Sequence, residues 1–162
     1  MIKIRKNSLS AYANLRSIAI AGLILGMSLP AMASLGGNIS SIDLDRTHMN
    51  ASEEVTGAGL YSVHRLQVPG GTVVNEYASP GGTIFAVTWQ GQFPPDMQQI
   101  LGVYFQQYSV ALAAQAKHYG HQPLNIQSSG LVVQTGGHMR AHWGRVYVQG
   151  LIPTRVSADL LQ

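Results

Sequence analysis

The sequence predicts an α+β domain in which an antiparallel sheet, built from a three-stranded meander and a later hairpin, packs against one long helix. Two repeated Pro-Gly-Gly turns, a third glycine-rich turn and one apolar stripe at helical spacing carry this prediction. Strands and helices occupy separate stretches of the chain, which favours α+β over an alternating parallel architecture.

The two Pro-Gly-Gly turns, at residues 69–71 and 80–82, separate runs of β-branched and aromatic residues. Glycine supplies the positive φ that tight hairpin loops require, so each turn predicts a three-residue loop. In each predicted cross-strand pair, the two residue numbers then add up to 140 in the first hairpin and to 162 in the second. The side predicted to face the core carries Val63, Val73, Tyr77, Phe85, Val87 and Trp89, and the other side carries His64, Glu76, Ala78, Ala86 and Thr88.

The long helix is predicted to begin after Asp96, which suits a helix N-cap, and to close at Gly120. Apolar residues recur at 97, 100, 101, 104, 105, 108 and 112, the spacing of one helical face. His118 and His121 flank its end, where the helix dipole favours positive charge, so capping explains them better than metal binding. A shorter helix is predicted within residues 38–51.

The last hairpin is predicted to turn at Thr135-Gly136-Gly137. This register places His138, Arg140 and His142 on one face, with neighbours about 7 Å apart. Trp143 then falls on the core side. Because the apolar alternation slips after Trp143, we expect a β-bulge at Gly144 or Arg145.

The amino-terminal segment, residues 1–33, is typical of a cleavable secretory signal. Four bases within the first 16 residues precede an apolar stretch over 17–29, and Ala31-Met32-Ala33 forms an A-x-A cleavage site. The apolar stretch is shorter than the roughly 20 residues that span a bilayer. We therefore expect a single exported domain over residues 34–162, in the periplasm or outside the cell, with no transmembrane segment after cleavage.

Composition excludes several classes of function. Six bases and seven acids remain after residue 33, so the high isoelectric point belongs to the signal and gives no support to nucleic-acid binding. The chain has no cysteine, which excludes disulfides and thiol chemistry. We find no catalytic or cofactor motif, and we expect no cofactor and no metal.

Several landmarks carry a resemblance to a known family: Ser34-Leu35-Gly36-Gly37, the segment 71–77, the segment 85–91, Pro95-Asp96 with Leu101-Gly102, and the segment 137–141. On these residues the chain resembles a family of exported proteobacterial proteins, the domain of unknown function number twenty-eight forty-four. The resemblance implies an envelope or secreted location and one compact domain. It implies no activity.

The densest polar cluster in the sequence contains His138, Arg140 and His142. Such a row suits an anion or a sugar acid, although a solvated sheet face is the simpler interpretation. His138 and His142 would stand roughly 13 Å apart on a regular strand, too far to share a zinc ion.

The second candidate is Glu76, which the three-residue loop places opposite His64 and a two-residue loop would place opposite Arg65. A His and Glu dyad suits general base catalysis, whereas an ordinary cross-strand charge pair is the simpler interpretation. Trp89 and Trp143 suit stacking on sugar rings, but both are predicted to face the core.

Two functions follow as hypotheses. The favoured one is a non-enzymatic binding or accessory module for an envelope component, an anionic small molecule or a glycan. The alternative is a small hydrolase or lyase acting on envelope glycan or a related polymer, which requires Glu76, His64 and the His138 to His142 row to converge on one cleft.

Overall fold

A computed structural model describes residues 35–57, 59–115 and 123–162. The predicted signal at 1–33, with its cleavage site, lies outside the described residues, as do His118, Gly120 and His121. Within the described ranges the helices are α1 (Ile42–His48), α2 (Met97–Leu101) and α3 (Phe105–Ala114). The strands are β1 (Ser52–Gly57), β2 (Ser62–Val68), β3 (Thr72–Ala78), β4 (Ile84–Gly91), β5 (Leu124–Ser128), β6 (Leu131–His138) and β7 (Ala141–Val148).

All seven strands form one antiparallel sheet in the order β1-β2-β3-β4-β7-β6-β5. Two meanders, β1 to β4 and β5 to β7, meet where β4 pairs with β7. The α+β class with an antiparallel sheet is therefore confirmed. The sheet is larger than the predicted three-stranded meander and hairpin. It also contains β1 and β5, which were not predicted.

The first hairpin has the predicted register, with Ser62 opposite Ala78 and Val68 opposite Thr72. The second follows its prediction only at the turn, where Ala78 pairs with Ile84. Beyond this pair Tyr77 faces Ala86, so Phe85 is the extra residue of a β-bulge.

The bulge reverses the predicted faces of β4, because a one-residue shift turns each side chain to the other side. Val87 and Trp89 therefore share a face with His64 and Glu76, and this face holds the larger core. We call it the helix face. Its apolar residues pack beneath α1 and α2 and include Leu66, Val74, Val87, Trp89, Val133 and Val146 from the sheet, with Ile42, Ile100 and Leu101 above.

The single long helix is not present. Asp96 is the predicted N-cap and accepts a hydrogen bond from the Gln98 N–H at 2.8 Å, but α2 ends after one turn. Gly102 has φ 47° and ψ −117°, a conformation that interrupts the α-helical ladder, and a 3-10 turn over Gly102–Tyr104 leads into α3. The predicted short amino-terminal helix is present as α1, preceded by a 3-10 turn over Ile39–Ser41.

The last hairpin does not turn at Thr135-Gly136-Gly137. β6 continues through these residues, and the chain turns at Met139-Arg140, so that His138 pairs with Ala141. The predicted bulge at Gly144 or Arg145 is also wrong, because β7 keeps an unbroken register with β6 from Ala141 to Val148. The apolar alternation changes after Trp143 because Trp143 lies on one face of β7, whereas Gly144, Val146 and Val148 lie on the opposite face.

The opposite side of the sheet, which we call the cleft face, is only partly covered. Residues 151–162, which we call the strap, lie over the cross-strand row of Tyr77, Ala86 and Tyr147. Leu161 of the strap is 2% exposed. The row that contains Gln90 and Trp143 remains accessible. No helix in the described ranges is long and apolar enough to cross a membrane.

Candidate functional site

The residues of the predicted polar row are not on one face. His138 ends β6, Arg140 occupies the hairpin turn with φ 62°, and His142 lies on β7 opposite Gly137. Strand alternation puts His138 on the cleft face and His142 on the helix face. The missed turn explains the error, since the prediction treated all three residues as one regular strand.

His64 and Glu76 do lie opposite each other, as the three-residue loop predicts. Their side chains, however, belong to different polar networks. His64 Nδ1 donates to Glu53 Oε1 at 2.7 Å, and the Ser62 hydroxyl lies 3.3 Å from His64 Nε2. Arg46 contacts the other Glu53 oxygen at 3.8 Å. His64 is thus held by a carboxylate of β1 rather than by Glu76.

Glu76 belongs to a buried acidic pair beneath α1. Its side chain is 1% exposed and Asp45 of α1 is 3% exposed. Gln99 of α2 donates from Nε2 to Asp45 Oδ1 at 2.6 Å, while Asp45 Oδ2 and both Glu76 oxygens have no hydrogen-bond partner among the described groups. Burial, reinforced by the negative charge of Asp45, raises the pKa of Glu76 to about 9. Burial also raises the pKa of Asp45 to about 6, against the opposing hydrogen bond from Gln99.

This environment does not suit a general base. At neutral pH Glu76 is protonated, and its carboxyl group has no open path to a substrate. A general base must reach its proton directly or through one water. Within the described ranges, no group of three or more His, Asp or Glu side chains is arranged to hold a metal ion.

A concave site lies on the cleft face, at a distance from the acidic pair. It is an open cleft of about 810 Å³ between the strap, the turn after β4 and the hairpin of β6 and β7. We call it the arginine cleft. Its polar side chains include Arg65, Asn75, Gln90, Arg140, Trp143 and Arg145.

The floor of the arginine cleft is a straight cross-strand row. Arg65 pairs with Asn75, Asn75 with Thr88, and Thr88 with Arg145. Three inter-strand steps separate the two arginines, roughly 14 Å along the row. Asn75 Nδ2 donates to Thr88 Oγ1 at 3.3 Å and to the Gln162 main-chain oxygen at 3.1 Å, which joins the row to the strap.

Arg145 is held firmly by neutral partners. Its Nε and Nη2 donate to Gln134 Oε1 at 3.0 and 2.5 Å, and its Nη1 donates to the Ala158 carbonyl oxygen at 2.7 Å. The guanidinium carbon lies 5.7 Å from the centre of the Tyr147 ring. These contacts fix the side chain without neutralising its charge.

No Asp or Glu lines the arginine cleft. Arg65, Arg140 and Arg145 form no ion pair with any acid of the described ranges, where Arg46 and His64 hold the ion pairs that are present. Three arginine side chains therefore line one concave surface to which no Asp or Glu side chain contributes.

Trp143 is exposed in this cleft, contrary to its predicted place in the core. Its cross-strand partner is Gly136, just as the partner of the buried Trp89 is Gly144 on the helix face. Each tryptophan lies over a glycine, so the sequence pairs two large rings with two residues that have no side chain. Aromatic residues placed opposite glycines are a usable signal that the sequence analysis missed, because it assigned Gly136 to a loop.

The sequence profile of the family described as "Protein of unknown function (DUF2844)" matches residues 31–161. No curated protein and no solved structure matches the chain. The match covers the whole sheet, both faces and the strap up to Leu161. The chain therefore belongs to the DUF2844 family, as its landmark motifs predicted.

Proposed function

We propose that this protein is an exported, non-enzymatic binding module that holds an anionic ligand in the arginine cleft. The observation that carries the proposal is that Arg65, Arg140 and Arg145 line one concave surface to which no Asp or Glu contributes. The exported location is part of the proposal and is supported by the signal pattern of residues 1–33.

The physical basis is electrostatic. Charges of one sign in a cleft with low-dielectric walls focus the local field and attract a ligand of opposite sign. Guanidinium groups bind carboxylate, sulfate and phosphate through paired hydrogen bonds. Arg145, fixed by Gln134 and the strap, supplies a preorganised charge, whereas the exposed Arg65 and Arg140 can adjust to the ligand.

A hydrolase or lyase was the alternative hypothesis, and the geometry gives it little support. The catalytic candidates His64 and Glu76 face the helix side of the sheet, and neither lines the arginine cleft. Arg140 is the one residue of the five sequence candidates that lines it. Binding therefore accounts for the arrangement better than catalysis.

The test is direct titration of the purified protein with two polyanions, polygalacturonate and inorganic polyphosphate, and with neutral dextran. We expect at least one polyanion to bind and dextran not to bind. The double variant Arg65→Gln with Arg140→Gln should lose about tenfold or more in affinity, measured by calorimetry.

Arg155→Gln is the matched control, because Arg155 is an exposed arginine of the strap that does not line the cleft. Its binding should match that of the unaltered protein. The proposal fails if neither polyanion binds, or if the double variant and the control bind equally well.

A further inference from the structure

We infer that the anionic ligand is an acidic glycan, bound with one sugar ring stacked on Trp143 and its acidic groups on Arg140 and Arg145. This inference rests on the proposed function and specifies its ligand. It is carried by the position of the Trp143 ring in the arginine cleft and by the order of side chains along β7.

The Trp143 ring lies flat on the sheet. A Cβ added to Gly136 would meet ring atoms Cζ2, Cε2 and Nε1 of Trp143 at 2.6, 2.8 and 3.0 Å. One ring face is therefore packed over the Gly136 backbone. The residue remains 44% exposed, and the other ring face is available to the cleft.

A fixed, half-exposed indole is suited to a sugar ring. The face of an aromatic ring is electronegative and attracts the polarised C–H groups that a pyranose presents on one side. The hydroxyl groups at the edge of the sugar need hydrogen-bond partners. Gln90, the cross-strand neighbour of Trp143, and Gln92, two residues further on, supply amide groups at the cleft wall.

The charges flank this ring along one strand. Trp143 and Arg145 are alternate residues of β7 on the same face, about 7 Å apart, and Arg140 lies roughly 10 Å away on the other side. The order is therefore cation, aromatic ring, cation. A chain of sugars with acidic groups on the rings either side of the stacked one matches this order, and a single small anion does not.

Other polyanions fit less well. Polyphosphate would engage the arginines and make no use of the exposed indole. Nucleic acid is disfavoured by the charge of the exported part, where six bases face seven acids. The combination of a few fixed charges, amides and one ring is more typical of an acidic glycan.

The experiment compares Trp143→Leu and Trp143→Phe in titrations with polygalacturonate and polyphosphate. We expect Trp143→Leu to lose about tenfold in affinity for polygalacturonate, because an aliphatic side chain cannot provide the stacking interaction. Trp143→Phe should retain most of the affinity. Affinity for polyphosphate, if it is measurable, should change by less than about twofold in both variants.

A second measurement needs no variant. Trp89 is 3% exposed and Trp143 is 44% exposed, so stacking on Trp143 should shift the intrinsic fluorescence of the unaltered protein when polygalacturonate binds. Polyphosphate should leave the fluorescence nearly unchanged.

The outcomes separate the two proposals. If polyphosphate binds through the arginines but polygalacturonate does not bind, or binds without a fluorescence change and equally well to Trp143→Leu, the glycan inference is overturned and anion binding stands. If neither polyanion binds, both proposals fail. If Trp143→Leu does not fold, the fluorescence titration of the unaltered protein still decides between the outcomes.

Discussion

The two faces of the sheet place ionisable groups in different environments. On the helix face, Glu76 and Asp45 are buried, and burial raises both pKa values. On the cleft face, three arginines line an open cleft that has no Asp or Glu in its lining. The helix face neutralises Glu76 by protonation, and the cleft face leaves its arginines open to the cleft.

This difference separates a structural role from a binding role. A buried carboxylate without partners is costly, so the core favours its neutral form. The exposed Arg65 and Arg140, at the edge of the open cleft, remain hydrated and contribute little to folding. Charge that a fold neither neutralises nor pairs is available for a ligand, so the cleft face is a better candidate site than the acidic pair.

The largest expected effect is on the pH dependence of stability. A carboxyl group whose folded pKa is raised binds its proton more tightly in the folded state, so stability falls as pH rises from the unfolded to the folded pKa. For Glu76 this window runs from 4.5 to about 9. Glu76→Gln should therefore be more stable than the unaltered protein at pH 9, by several kcal/mol, with a smaller difference at pH 5.

Urea unfolding at pH 5, 7 and 9 measures this difference. Glu54→Gln is the control, because Glu54 is an exposed carboxylate on β1. Its stability should follow that of the unaltered protein at all three pH values. If the gain from Glu76→Gln does not grow with pH, Glu76 is not neutral in the folded protein.

The next effect concerns the strap, which covers the apolar half of the cleft face. Leu161→Ala should lower the free energy of unfolding by about 3 kcal/mol, because it leaves a cavity above Tyr77 and Phe85. Leu160→Ala is the matched control, since the adjacent Leu160 is 62% exposed and should tolerate the change. Equal stability of the two variants in urea unfolding would show that the strap does not pack on the sheet.

The sequence predicted the fold class and the first hairpin because these depend on local turn chemistry. Pro69-Gly70-Gly71 needs no information from the rest of the chain, and its register is as predicted. The bulge at Phe85 could not be predicted, because the same aromatic and β-branched residues satisfy either face. That one extra residue moved Val87 and Trp89 to the other side of the sheet.

The site depended on tertiary features that the sequence pattern hides. Arg65 and Arg145 are 80 positions apart in the chain and become members of one row only through the pairing of β4 with β7. Trp143 was assigned to the core because Gly136 and Gly137 resemble a loop, whereas both belong to β6. Arg140 was identified from the sequence, although for a row that does not exist.

A smaller effect is expected at Arg145, which joins β7 to the strap. Arg145→Lys keeps the charge but loses the planar fork that bonds Gln134 and Ala158 together. We expect a loss of about 1–2 kcal/mol in urea unfolding. Arg65→Lys, at an exposed position of the same row, should cost much less, and an equal cost at both positions would contradict the bridging role of Arg145.

The smallest effect on stability is expected at Arg140, whose φ of 62° favours glycine. Arg140→Gly relieves the strained backbone but gives the unfolded chain more freedom, so the free energy of unfolding should change by less than about 0.5 kcal/mol. Arg140→Ala removes the same charge and should be less stable than Arg140→Gly by about 1 kcal/mol.

Both variants should bind polygalacturonate more weakly than the unaltered protein does. Arg140→Gly should therefore weaken binding and leave stability unchanged, whereas Glu76→Gln should raise stability. This difference is the one expected if the cleft face binds a ligand and the helix face supports the fold. A large loss of stability in Arg140→Gly would mean that this charge supports the fold instead.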